Sequence, residues 1–230
     1  MPPLPVLLSV PHAGTRVPPE VGDLCILSKA DILADSDEGA DRIYLPLEAQ
    51  VTALVATTVA RAVVDVNRAA DDFRKDGVIK THTCYEVPVY REPPSGEVIQ
   101  TLIRRYYDPY HADLTRLAEE ARAGIDCHTM SATGPPVGPD PGRERPAVCL
   151  SNAEGAACPP DWIASLAACL EDALGVAVSI NDPFKGGYIV RSRPGRIPWI
   201  QMEYSRGPFA TDEKKRDGFL AALTRWCRGR

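Results

Sequence analysis

The chain has no apolar run near the ~20 residues that a membrane span needs. Its first residues, Met1-Pro2-Pro3-Leu4, carry none of the basic charge that opens a secretory leader. Membrane insertion and secretion are therefore disfavoured, and a cytoplasmic location is expected. The seven cysteines are odd in number and form no CxxC pair, which argues against a disulfide framework or a cysteine-zinc site and for small, reduced core residues. No G-x-S-x-G elbow occurs, so a hydrolase built on Ser131 or Cys127 would lack its strained strand-to-helix turn. Positive charge is also short: 26 Lys and Arg stand against 31 Asp and Glu, a net charge of −5. With no basic stripe interleaved with aromatics, nucleic acid is not an expected partner. Repeats and low-complexity tracts are missing as well.

Histidine is scarce, with four in 230 residues, and two of the four close short apolar runs. His12 stands in Pro11-His12-Ala13-Gly14 after Pro5 to Val10, and His128 in Asp126-Cys127-His128-Thr129-Met130 after Ile125. In an open α/β sheet, side chains at the carboxyl ends of strands converge on one crevice, so two histidines far apart in sequence can share one metal. His111 and His82 lie beside a proline and in a loop, where structural or solvated roles are expected. Cys127 adjoins His128, but strand alternation turns it to the other face.

Between the two histidines, Asp35, Asp37, Glu38 and Asp41 open a helical stretch. A hydrolytic metal commonly takes two histidines and one carboxylate, which makes Asp37 a reasonable third ligand. The same acids also suit a helix start, by capping and by the macrodipole, and both roles stay open. Farther on, Asn67-Arg68 follows an apolar run at 62–66. An arginine there can clamp a carboxylate bidentately, which suggests a small anionic substrate. Since the net charge is negative, the site must be locally positive, and Arg68, Lys185 and Arg191 can supply that. The last apolar run, Ile197 to Tyr204, holds a single acid, Glu203. Burial near a metal lifts such a carboxyl toward neutrality, as a general acid or base requires, while the plainer alternative is a salt bridge to Arg206 or Arg191.

Periodicity reads as alternating strands and helices, hence one α/β domain over 1–230 with a mixed, mostly parallel twisted sheet and helices on both faces. Strands are predicted near 5–10, 52–58, 62–67, 125–130, 147–151, 176–181, 187–192 and 197–204. Helices are predicted near 39–50, 96–122, 159–174 and 211–227, with Pro109 expected to kink or break the second beside Tyr110-His111. A Pro/Gly-rich loop from Ser131 to Gly142 is either a lid or a rigid structural loop.

Six segments in order, Pro11-His12-Ala13-Gly14, Ser36 to Arg42, Val64 to Arg68, Asp126 to Met130, Phe184 to Arg191 and Ile200 to Glu203, resemble the N-formylglutamate amidohydrolase family. That family is similar in fold and site to the zinc carboxypeptidases and to the aspartoacylase group. The resemblance implies a zinc-carboxypeptidase-like architecture with one zinc ion held by His12, Asp37 and His128. It implies Asn67 and Arg68 as substrate-carboxylate contacts and Glu203 as the catalytic acid/base. The implied activity is zinc-dependent hydrolysis of the N-formyl or N-acyl amide of an acidic amino acid such as N-formylglutamate; the alternative is a carboxypeptidase-like zinc peptidase. The His-x-x-Glu spacing of the carboxypeptidases is absent, Thr15 standing three residues after His12, so the acidic ligand comes from the later cluster. Glu38 stands where better-known relatives tend to carry an aromatic.

Overall fold

In the computed structural model, which describes residues 2–193 and 195–229, the first apolar run forms β1 (Leu4–Val10). Two short helices follow, α1 (Lys29–Asp35) and α2 (Ala40–Tyr44), then β2 (Val51–Ala56). α1, absent from the sequence reading, starts at a capping box in which the Ser28 hydroxyl accepts from the Asp31 amide and the Asp31 carboxylate accepts from the Ser28 amide. The chain continues through α3 (Gly96–Leu102), α4 (Asp108–Leu117), β3 (Ala123–Met130), β4 (Val148–Ser151) and α5 (Pro160–Leu174). It ends with β5 (Val178–Ile180), α6 (Tyr188–Arg191), β6 (Trp199–Ser205) and α7 (Asp212–Arg228).

The six strands make one sheet in the order β2-β1-β3-β6-β4-β5. All pairs are parallel except β4 with β6, so the sheet is mixed and mostly parallel, with helices on both faces. Pleat alternation divides β1 between two cores. Val6, Leu8 and Val10 pack with α2, α5 and α7, while Leu7 packs with α3, α4 and α6. Among the described residues no helix is long and apolar enough to cross a membrane.

Two predicted strands are not strands. Residues 62–67 are buried, with Val63, Val64 and Val66 in the second core, but their backbone closes in turns, Val63 and Val64 amides both reaching the Ala60 carbonyl. A short apolar run reports burial and not ladder pairing, which is why periodicity misread it. Residues 187–192 hold α6 instead of a strand, because Gly186, at φ 99°, turns the chain and the Gly187 amide is tied to the Gln201 side chain. The irregularity expected beside Tyr110-His111 lies upstream, as a π-helical turn at Ile103–Tyr107 in which the Asp108 amide bonds the Ile103 carbonyl. The wider turn absorbs the ring and missing donor of Pro109 without breaking the helix.

Candidate metal centre and its cavity

The parallel register aligns polar residues on one face of an otherwise apolar sheet. Ser9 pairs with Asp126 and Asp126 with Gln201 in one row, and His128 pairs with Glu203 in the next. These rows lie toward the carboxyl ends of β1, β3 and β6. There the chain leaves β1 through Pro11-His12, and Asp37 enters the site just past the end of α1. The Asp37 amide donates to the His12 carbonyl at 3.1 Å, fixing one loop against the other.

His12, Asp37 and His128 are buried, and one potential ligand atom from each lies within 4.8 Å of the others. Asp37 Oδ2 is 2.8 Å from His128 Nδ1 and 3.6 Å from His12 Nδ1. The Nε2 atoms are occupied on the far side: His12 Nε2 meets Asp65 Oδ1 at 2.8 Å, and His128 Nε2 meets Asp126 Oδ2 at 2.9 Å. Carboxylates behind both rings fix the tautomer that presents Nδ1 to a metal and raise its basicity. Asp35 is not in this group, being paired with Lys80 at 2.9 Å, and Glu38 and Asp41 are exposed.

Two features fit a divalent cation. His12 Nδ1 is buried without a hydrogen-bond partner, a costly arrangement that a metal would relieve. The bonded network around it also holds four buried carboxylates, Asp35, Asp37, Asp65 and Asp126, against two cations, Lys80 and Arg61. The excess of negative charge is the charge of one divalent ion. Protons answer the same imbalance. Burial works against a charged His128, yet the Asp126 and Glu203 carboxylates outweigh it and raise its pKa well above the ordinary value. Asp37 shows the converse, burial being overcome by His12 and His128, which hold its carboxyl well below the usual range.

Glu203 is buried beside this group. Desolvation lifts its carboxyl to about 7 against the opposing pull of His128, and Gln201 Nε2 donates to its Oε1 at 2.8 Å. No ion pair to Arg206 or Arg191 forms among the described residues. A carboxyl poised near neutrality can hold a proton or release it under mild conditions.

The centre opens into a cavity of about 680 Å³. Arg68 and Lys185 line it, but each is tethered: Arg68 to Asp76, with Nε at 2.9 Å from the carbonyl, and Lys185 to Glu154 at 2.7 Å. Asn67 also lines it, with both ends of its amide engaged. Its Nδ2 donates to Asp126 Oδ2 at 3.1 Å and its Oδ1 accepts from the Ile189 amide at 2.8 Å. A side chain at Gly187 would sit 2.5 Å from that amide, so the close approach requires glycine. Arg191 is not brought into the cavity. Its guanidinium donates to the carbonyls of Gly186 and Lys185 and so braces the turn. The Pro/Gly-rich loop contributes Pro135, Val137 and Pro139 to the rim. It is folded on itself by the buried Arg145–Asp140 pair at 2.6 Å and tied to the opposite wall by the Val137 amide on the Cys84 carbonyl.

A sequence profile described as N-formylglutamate amidohydrolase matches residues 4–209. The chain belongs to the N-formylglutamate amidohydrolase family. Among relatives of this family, an N-formylglutamate deformylase of Pseudomonas aeruginosa is 33% identical over 201 residues, covering 82% of this chain and 74% of the relative. An N-formylglutamate deformylase of Pseudomonas putida is 28% identical over 222 residues, covering 90% and 82%. The crystal structure of an N-formylglutamate amidohydrolase from Ralstonia eutropha shares the fold, with a TM-score of 0.82, 22% identity, and coverage of 99% of this chain and 96% of that one.

In this member of the family, sequence reasoning missed the carboxylates behind the histidines. Asp126 was legible in principle, since it lies two residues before His128 on a strand and must share its face. Asp65 carried only a weak signal, a single acid inside a buried apolar run. Arg61, reaching Asp37 Oδ1 and Asp65 Oδ2 at 3.4 Å each, carried none. His111 stands outside the cavity, between the Val66 carbonyl and Arg193.

Proposed function

We propose that this chain is a zinc-dependent amidohydrolase that removes the N-formyl, or a small N-acyl, group from an acidic amino acid such as N-formylglutamate, releasing formate and glutamate. The observation that carries this reading is the convergence of His12 Nδ1, orphaned and buried, with Asp37 and His128 beside a carboxyl lifted to about 7. Relatives named as deformylases support the substrate. Two imidazoles and a carboxylate with a protein carboxylate behind each ring suit a single zinc ion. When bound, zinc supplies Lewis-acid polarisation of the amide carbonyl and acidifies water.

The remaining roles fall to side chains. Glu203 accepts the proton of the attacking water and returns it to the leaving nitrogen, a transfer its raised pKa favours. Arg68 holds a substrate carboxylate and Lys185 adds positive charge at the rim. Asn67 orients Asp126 and the Ile189 amide beneath the substrate, and Arg191 braces the turn that carries Lys185.

A cavity of this size also admits a short peptide, which keeps carboxypeptidase-like cleavage as a second reading. Formate release from N-formyl-L-glutamate is the test, measured before chelation, after it and after adding zinc. Activity abolished by chelation and restored by zinc is expected. Release of free amino acids from peptides without formate would move the assignment to a peptidase, and activity indifferent to chelation would end the metal reading.

A further inference from the structure

Six cationic side chains line the cavity, and five already have a carboxylate. Arg61 spans Asp37 and Asp65, Arg68 meets Asp76 at 3.4 Å, and Lys80 meets Asp35 at 2.9 Å. Arg145 is paired with Asp140 at 2.6 Å and Lys185 with Glu154 at 2.7 Å. Arg206 differs. Among the described residues no carboxylate lies within ion-pair distance of it, and its guanidinium makes one hydrogen bond, from NH1 to the Ser36 carbonyl at 3.3 Å.

We propose that Arg206 is a further residue that selects an anionic substrate, by taking one of its two carboxylates while Arg68 faces the other; this rests on the amidohydrolase reading above. A half-buried guanidinium has lost part of its hydration, and a counter-ion supplied by the ligand restores what water no longer provides. Its planar fork carries five N–H donors, of which one is used, so a bidentate contact to carboxylate remains open. The placement is fixed from both sides. The Arg206 amide donates to the Met130 carbonyl at 2.8 Å at the end of β6, three residues beyond Glu203. The Ser36 carbonyl that takes NH1 belongs to the neighbour of Asp37. The fork therefore lines the same cavity as the candidate metal ligands and the acid/base, one residue past the end of β6.

The competing role is structural. Ser36 is the C-cap of α1, and a cation there favours the helix dipole. A cap requires stability alone and is blind to the substrate.

The two roles separate in metal-loaded wild type, Arg206→Gln and Arg206→Lys, each assayed on N-formyl-L-glutamate and on its α- and γ-monoamides. For Arg206→Gln, KM for the diacid should rise about 10- to 100-fold with kcat changed far less, as for loss of a charge-assisted contact made equally in ground and transition states. The penalty should shrink severalfold for the monoamide that lacks the carboxylate Arg206 holds, and Arg206→Lys should fall between. An equal penalty on all three substrates, or no change in KM, would overturn the proposal. If wild type releases no formate from any of them, the amidohydrolase reading has failed, and calorimetric binding of glutarate decides for Arg206 separately. Weaker binding by Arg206→Gln supports an anion site, and equal binding refutes it.

Discussion

His12 and His128 turn the same ring atom toward the same centre, yet the carboxylates behind them are placed by different means. Asp126 precedes His128 by two residues on β3, so the pleat alone puts both on one face. Asp65 is 53 residues from His12, in a turn segment with no ladder, and reaches it only because Val63, Val64 and Val66 anchor that segment in the second core. Their other partners differ as well. Asp126 is shared with neutral groups, the Ser9 hydroxyl and the Asn67 amide, whereas Asp65 also faces Arg61 at 3.4 Å and Lys80 at 3.9 Å. One histidine is supported by the regularity of the sheet and the other by a buried charge network. An identical chemical requirement can thus rest on periodic or on wholly tertiary structure, and only the first leaves a pattern along the chain.

The largest effect should come where both supports meet the reaction. Glu203→Gln keeps shape and hydrogen bonding but removes the proton acceptor, so kcat should fall by ~10²–10⁴ with metal content intact by elemental analysis. Near-normal turnover would make Glu203 structural, and lost metal would make it a ligand.

The comparison itself is broken by Asp65→Asn and Asp126→Asn. Each should weaken metal binding by ~10–100-fold, because each removes charge behind a ligand ring. In the metal-free proteins Asp65→Asn should melt at the lower temperature, since it takes one carboxylate from each of two cations, leaving Arg61 with Asp37 alone and Lys80 with Asp35 alone, while Asp126→Asn takes a carboxylate from His128 alone and otherwise leaves the neutral Ser9 and Asn67. Equal melting temperatures would refute the distinction between the two supports.

A smaller and graded effect concerns protons. Burial works against a charged His128, but Asp126 and Glu203 raise its pKa, so in the metal-free protein it holds its proton more tightly than an ordinary histidine does. Metal binding must displace that proton. Apparent affinity should therefore rise about tenfold per pH unit through the range above the ordinary histidine value and below the raised one. Calorimetry in buffers of different ionisation enthalpy should register about one proton released per ion. The smallest change is expected from Arg191→Ala, which acts only through the Gly186 turn. KM should move by no more than about threefold, and a larger loss would place its guanidinium on the substrate.

The candidate site residues at the strand ends were legible because an acid or histidine at the end of an apolar run stands out against its neighbours. His12, His128 and Glu203 were singled out as candidates that way, and Asp37 was singled out beside competitors that packing sets apart: Asp35 is drawn to Lys80, while Glu38 and Asp41 point to solvent. The run at 62–66 was legible as buried but not as turns, since hydrophobicity reports environment and not which carbonyl an amide finds. Residues 187–192 were misread for a related reason, the Gln201 contact that sets the Gly187 backbone being fourteen residues away.

By itself the sequence determined the layered α/β architecture, the long helices with their starts and stops, and the chemical types able to meet at the strand ends, because these follow from period, capping and side-chain chemistry over short spans. Tertiary structure alone decided which nitrogen of each histidine faces the centre, which carboxylate stands behind it, and that Arg206 is left without a carboxylate where Arg61, Arg68, Lys80, Arg145 and Lys185 are each paired. Those outcomes depend on distances between segments far apart in the chain, set by how the two cores close on the two faces of the sheet, and no local pattern encodes them.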